Sequence, residues 1–282
     1  MKKTSIVASF LIGVILLTLI ILPLGCTGEE ASAGLKVVTT TSLISEIVEK
    51  VGGNKVEVTN IIPPAQCPGH FDVKPGDIQM LADAKLFLMH GWQGELFTQQ
   101  LTQSANNPAL NIFSLNILGN WMVPAVQAQA VGNITSALVE IDRQNASYYL
   151  SNASSELAAI AAKDNELQAK LAAKNLSQIK VICDEQITGF AQWAGFDVVA
   201  SYPSSEDIST FKGLIDQGKQ AGVSLVIGNL QSGTSDATAT IASSIGAAQV
   251  TLSNFPGGFD DTETWEKAIE KDVNLLLETL AK

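Results

Sequence analysis

Two parallel-sheet α/β lobes joined by a long helix is the architecture this sequence predicts. Three observations point to it. Segments rich in β-branched residues alternate with segments of helical period near both ends of the chain. Between them, Ile134 to Ala173 contains neither Pro nor Gly and spaces its large apolar residues helically. The length of 282 residues exceeds one ordinary domain of roughly 100–200 residues.

The elements follow in order. Lys2 and Lys3, a nearly unbroken apolar run from Ile6 to Leu24 and "LPLGC" read as an export signal with a lipobox, cut before a lipid-bearing Cys26. Residues 1–25 are thus the signal peptide and 26–34, small and polar, a lipidated tether. The competing reading is an uncleaved membrane anchor. Either way the rest of the chain lies outside the cytoplasm, attached to a membrane.

The N-terminal α/β lobe takes residues 35–130. "LKVVTT" and "VEVTNII" are strands, and the helix between them is started by Ser42 and stopped by Gly52 and Gly53. Strand, helix and strand make a parallel βαβ unit. A short helix from Ile78 to Ala84 is opened by Asp77 as N-cap, and "AKLFLM" is a strand ending at His90. The connecting helix takes residues 131–175, with a break near Asp142. The C-terminal lobe, 176–282, alternates again: strands "KVIC", "DVVA", "SLVIG" and "AQVTL", with helices through "GFAQWAG", from Asp207 to Ala221, through "ATATIASSIG", and from Thr262 onward.

Composition narrows the function. Apolar residues make up 46% and charged residues 16%, which excludes a disordered acidic chain. The net charge is −11 and no Lys/Arg cluster stands out, so a nucleic-acid partner is not expected. No nucleophile elbow, phosphate loop or dinucleotide fingerprint occurs, and an enzyme is not expected.

Ligands of open parallel sheets bind beyond the carboxyl ends of the strands. Both histidines of the chain, His70 and His90, and both cysteines beyond the lipobox, Cys67 and Cys183, fall at such ends, with Asp184 and Glu185 beside the last. Thiolate and imidazole suit zinc and its neighbours, so Cys67, His70, His90, Cys183, Asp184 and Glu185 form the expected metal set. Each has a plainer alternative: a Cys67–Cys183 disulfide, a core His90, and a solvated Asp184–Glu185 loop. Phe71, Trp92, Trp121 and Asn254 are the expected walls of a ligand pocket, although a tryptophan is more often core than cleft.

The stretch "KVVTTTSLISEIVEKVGGNKVEVTNIIPP", with "PGDIQMLADAKLFLMHG", "NASYYLSNASSELAAI" and "LSNFPGG", resembles the zinc- and manganese-binding solute-binding lipoproteins of ABC importers. The likeness runs from about Leu35 to the C-terminus. It implies two α/β lobes around a cleft, a backbone helix, and capture of a transition metal, zinc first and manganese or another next. A membrane ABC permease is the implied partner, the chain acting as a lipid-anchored monomer. A metal complex or other organic ligand is the alternative cargo. Aligned on Pro75 and Asp77, Cys67 takes the family's Asp position and Gly69 its first His, with His70 one residue late. The second His falls on Gly119, the His-Asp pair on Asp184 and Glu185, and the last Asp on Ser253 or Asn254. His90 stands where the family usually has Asn.

Overall fold

The computed structural model describes residues 34–91, 97–203, 211–233 and 235–281. Four strands form the first sheet: β1 (Leu35–Thr39), β2 (Val56–Asn60), β3 (Leu86–His90) and β4 (Asn111–Leu115). They lie in the order β2-β1-β3-β4, all parallel. The second sheet repeats this plan with β5 (Lys180–Asp184), β6 (Asp197–Tyr202), β7 (Leu225–Asn229) and β8 (Ala248–Leu252) in the order β6-β5-β7-β8.

Parallel neighbours need long crossovers, and helices supply them. In the first lobe these are α1 (Ser42–Gly52), α2 (Pro75–Asp83) and α3 (Phe97–Ala105). In the second they are α6 (Thr188–Trp193), α7 (Lys212–Ala221) and α8 (Ser235–Ile245), with α9 (Trp265–Leu280) closing the chain. Helix α1 ends where Gly53 turns to φ 51°, a conformation that costs glycine little. Helix α2 corrects an expectation. It begins at Pro75, two residues before Asp77, whose carboxylate reaches back to accept from Lys74 N–H at 2.8 Å. Proline suits that first helical position because its missing N–H has no helical partner to lose. The expected helix from Asp207 begins in residues outside the described set, which pick it up at Lys212.

Sequence periodicity did not reveal α3 or β4. Helix α3 buries only Thr98, Leu101 and Ala105, with Phe97 half-buried at its start, and β4 is an edge strand with Ile112 exposed, so neither shows a sustained apolar pattern. The long helical stretch is two helices, α4 (Pro124–Ile141) and α5 (Ala146–Ala172). The break centres on Asp142, whose carboxylate accepts from Asn145 Nδ2 at 2.7 Å and from the Tyr149 hydroxyl at 2.6 Å.

Alternation along the buried strands separates three apolar clusters. Val37, Leu86 and Leu88 of the first sheet and Val181, Cys183, Leu225 and Ile227 of the second face one cluster, continuous through Tyr149, Ile160 and Leu167 of α5. The intervening Val38 and Phe87 face a satellite core under α2 and α3, and Ile182 and Val226 another under α7 and α8. Helix α5 therefore lies between two lobes whose inner faces share one core.

Candidate functional site

In each sheet the chain reverses its direction of growth between two central strands, β1 and β3 in one and β5 and β7 in the other. A crevice at such a switch point is where open α/β sheets bind ligands. The two crevices face each other and make one cleft of about 620 Å³. Its first wall comes from Leu43 of α1, Cys67 to Gly69 after β2, and Ile117 to Trp121 after β4. Its second comes from Glu185, Gln186 and Gly189 after β5, Asn229, Gln231 and Ser232 at the end of β7, and Asn254 and Phe255 after β8.

Hydrogen bonds tie the walls together. Asn120 Nδ2 donates to Asn254 Oδ1 at 2.6 Å and to the Gln186 carbonyl at 2.8 Å. Gln231 Nε2 donates to the Pro64 carbonyl at 2.9 Å, and the Ser42 hydroxyl to the Pro256 carbonyl at 2.7 Å. Asn229 sits 4% exposed at the end of β7; its Nδ2 donates to Ser232 Oγ, while its Oδ1 is buried with no hydrogen-bond partner.

The expected metal residues divide. Cys67 and Glu185 line the cleft. His70 does not: the single turn Pro68–His70 leaves it exposed to solvent. His90 is 1% exposed, its Nε2 2.8 Å from the Thr41 hydroxyl and its ring edge-on to Trp121 at 4.5 Å. Burial lowers its pKa to about 3, so the ring is neutral. Cys183 points into the main core, its thiol pushed up to about 11 by burial. Asp184 is fully buried, with Oδ1 accepting from Gln186 N–H at 2.9 Å to cap the turn Glu185–Ile187. The reason is strand geometry: alternation along β5 fixes Cys183 on the core face, and Glu185 emerges as the first residue past the strand, opening the turn Glu185–Ile187. Both Cys67 and Cys183 are free thiols, so the disulfide alternative does not form. Among the described residues no three His, Cys, Asp or Glu side chains come close enough to hold a metal ion together.

Of the expected pocket walls, Trp121 and Asn254 line the cleft. Phe71 does not; it packs against Phe97 in the satellite core, ring centroids 5.3 Å apart. Trp92, like the lipid-bearing Cys26, lies outside the described residues. Sequence reasoning missed Leu118, Asn120, Gln186, Asn229 and Gln231. The strand-end rule applies to "SLVIG" as to its neighbours, but carboxamides do not titrate and so drew no attention.

Residues 37–279 match the family described as zinc-uptake complex component A, periplasmic. The chain belongs to that family. Its members are binding components of uptake complexes and not enzymes. Among curated relatives, the manganese-binding lipoprotein MntA of Halalkalibacterium halodurans is 28% identical over 174 residues, covering 56% of each chain. The chain therefore spans about half the length of that relative, and 35% of the manganese-transporter lipoprotein PsaA of Streptococcus pneumoniae. A zinc-bound ZnuA deletion mutant superposes with a TM-score of 0.71 at 20% identity, covering 87% of this chain and 98% of that one. For the nickel complex of FpvC from P. aeruginosa the TM-score is 0.74 at 18% identity, covering 88% and 97%. These likenesses confirm the two-lobed α/β fold of the ZnuA family.

Proposed function

We propose that this ZnuA-family chain is the extracytoplasmic capture component of an ABC importer, taking a transition metal as cargo and passing it to a membrane permease. The observation that carries the reading is the cleft itself. It lies at the switch points of two sheets within a family match that spans both lobes. Zinc is the first metal to test, because thiolate is among its preferred ligands, and manganese the second. Cys67 and Glu185, one from each wall, are the two residues of the expected set that reach the cleft.

Residues 1–25 act as export signal and 26–34 as tether, with Cys26 lipidated and the lobes at 35–130 and 176–282 presented to the permease as a monomer. Among the described residues no helix is long and apolar enough to cross a membrane. Cells lacking the gene are expected to accumulate zinc-65 or manganese-54 more slowly from limiting medium, with uptake restored by the intact chain. Unchanged accumulation of both would reject the reading. Incorporation of radiolabelled palmitate that disappears in Cys26→Ser tests the anchor.

A further inference from the structure

We propose that the metal enters this cleft already wrapped in a small neutral or cationic organic chelator that presents N–H groups, and is not bound as a bare ion. This rests on the capture reading above and names the form of its cargo.

The donor set is the first reason. A bare transition metal must be repaid for its lost hydration by imidazole, thiolate or carboxylate ligands at close range. Among the described residues of the lining, only Cys67 and Glu185 are titratable, and the remaining polar side chains are carboxamides, one serine and the Trp121 indole. Neutral amide oxygens are poor ligands for zinc, but they are good hydrogen-bond acceptors for an N–H group.

Size and surface are the second. The cleft measures about 620 Å³, at the scale of small-molecule sites and far larger than a single ion fills. Leu118 stands 90% exposed on its wall, an apolar surface suited to the carbon skeleton of a chelator.

The third is an acceptor waiting for a donor. Asn229 belongs to the cleft lining and its Oδ1 is enclosed without a partner, which costs free energy unless the lining shifts as a ligand seats and an N–H group reaches it. An amine coordinated to a metal cation is a strongly polarised donor of that kind. Among the described residues the lining carries one carboxylate, Glu185, and neither lysine nor arginine, so an anionic chelate meets an unfavourable field.

Substitution-inert cobalt(III) complexes keep their ligands during binding and so report the intact chelate. The full-length protein, purified in detergent, is titrated calorimetrically with cationic cobalt(III) bis-histidinate, with cationic cobalt(III) tris-ethylenediamine, with anionic cobalt(III)–EDTA and with zinc chloride. At least one cationic complex is expected to bind one to one, more than tenfold tighter than zinc ion or the anionic complex. Asn229→Leu should weaken it about tenfold, the effect of one charge-assisted hydrogen bond. Leu118→Ser, at a site too exposed to disturb folding, should weaken it several-fold. Tight one-to-one zinc binding with neither cationic complex bound overturns the chelate and leaves metal capture standing. Equal binding of the anionic complex overturns the charge argument. No binding of zinc or of any complex overturns both the chelate and the capture reading.

Discussion

His90 shows how far a residue's meaning depends on what surrounds it. A histidine at a strand end is a metal ligand when it faces a cleft. Here its Nε2 is engaged by Thr41 at the start of α1 and its ring by Trp121. Because burial holds its pKa near 3 against about 6.5 in an unfolded chain, the unfolded state binds the extra proton between those values. Stability contributed by neutral His90 is complete above about pH 6.5 and declines as pH falls towards 3, by at most about 1.4 kcal/mol per unit. His90→Phe should cost about 1–3 kcal/mol at pH 7, since the Thr41 hydroxyl loses its partner. In urea denaturation the variant should lose less stability than the parent between pH 6.5 and 4; a parallel decline would contradict the buried neutral ring. The cysteines separate in the same way. Alkylation of the native protein followed by peptide mapping should modify Cys67, at the cleft, and spare Cys183 until denaturant is added. Gly119, where the family resemblance would put a second histidine, is constrained by its backbone. Its φ of 103° is hard for any side-chain-bearing residue to adopt, and a Cβ there would meet Val126 Cγ2 at 3.2 Å. Gly119→His would therefore strain the loop.

At the scale of elements, strands and crossover helices were legible in the sequence because each buries a face, and buried faces write their period into it. What was not legible had little such face: β4 on its edge, α3 with three buried residues, and the carboxamides of Asn120 and Gln231, whose role is set by neighbours distant in the chain. The ion cluster joining α1, α5 and α9 belongs to this second group. Lys50 lies 3.0 Å from Glu46, 3.0 Å from Glu156 and 2.5 Å from Glu266, and Glu46 Oε1 also accepts from Trp265 N–H at 3.1 Å. Three carboxylates share one ammonium. Burial therefore wins at Glu46 and raises its pKa to about 7, even though Lys50 beside it acts in the opposite sense. Glu46 binds a proton in the folded state that it has lost in the unfolded state between about pH 4.5 and 7, so its contribution to stability falls as pH rises through that window. Glu46→Gln should flatten that decline in denaturation measured from pH 4.5 to 8. Lys50→Met should cost about 3 kcal/mol at pH 7, because it leaves the buried Glu46 and Glu156 and the half-buried Glu266 facing one another. A loss below about 1 kcal/mol would mean that solvent screens the cluster.

For the whole molecule, the question is whether two sheets mean two folding units. Separate domains each have their own core and meet through a modest, polar interface. In this chain the inner faces of both sheets contribute to one continuous cluster, threaded by Tyr149, Ile160, Leu167 and Leu171 of α5. The lobes are further tied by the Lys50 cluster and by Trp265 Nε1, which donates to the Trp121 carbonyl at 3.2 Å. Residues 33–282 accordingly make a single compact unit. Unfolding one lobe alone would expose the other's half of the shared core, at roughly 25 cal/mol per Å² of apolar surface. The two lobes should therefore unfold together. Differential scanning calorimetry is expected to give one transition with calorimetric and van't Hoff enthalpies equal. Because the core is shared, Leu167→Ala in α5 should shift that transition down as a whole, for a loss of about 2–5 kcal/mol. Two resolved transitions, or a shift confined to part of the heat absorption, would show that the cleft separates independent domains. The same shared core restricts any closure around cargo to small sliding of packed elements, since a wide hinge would have to tear it open.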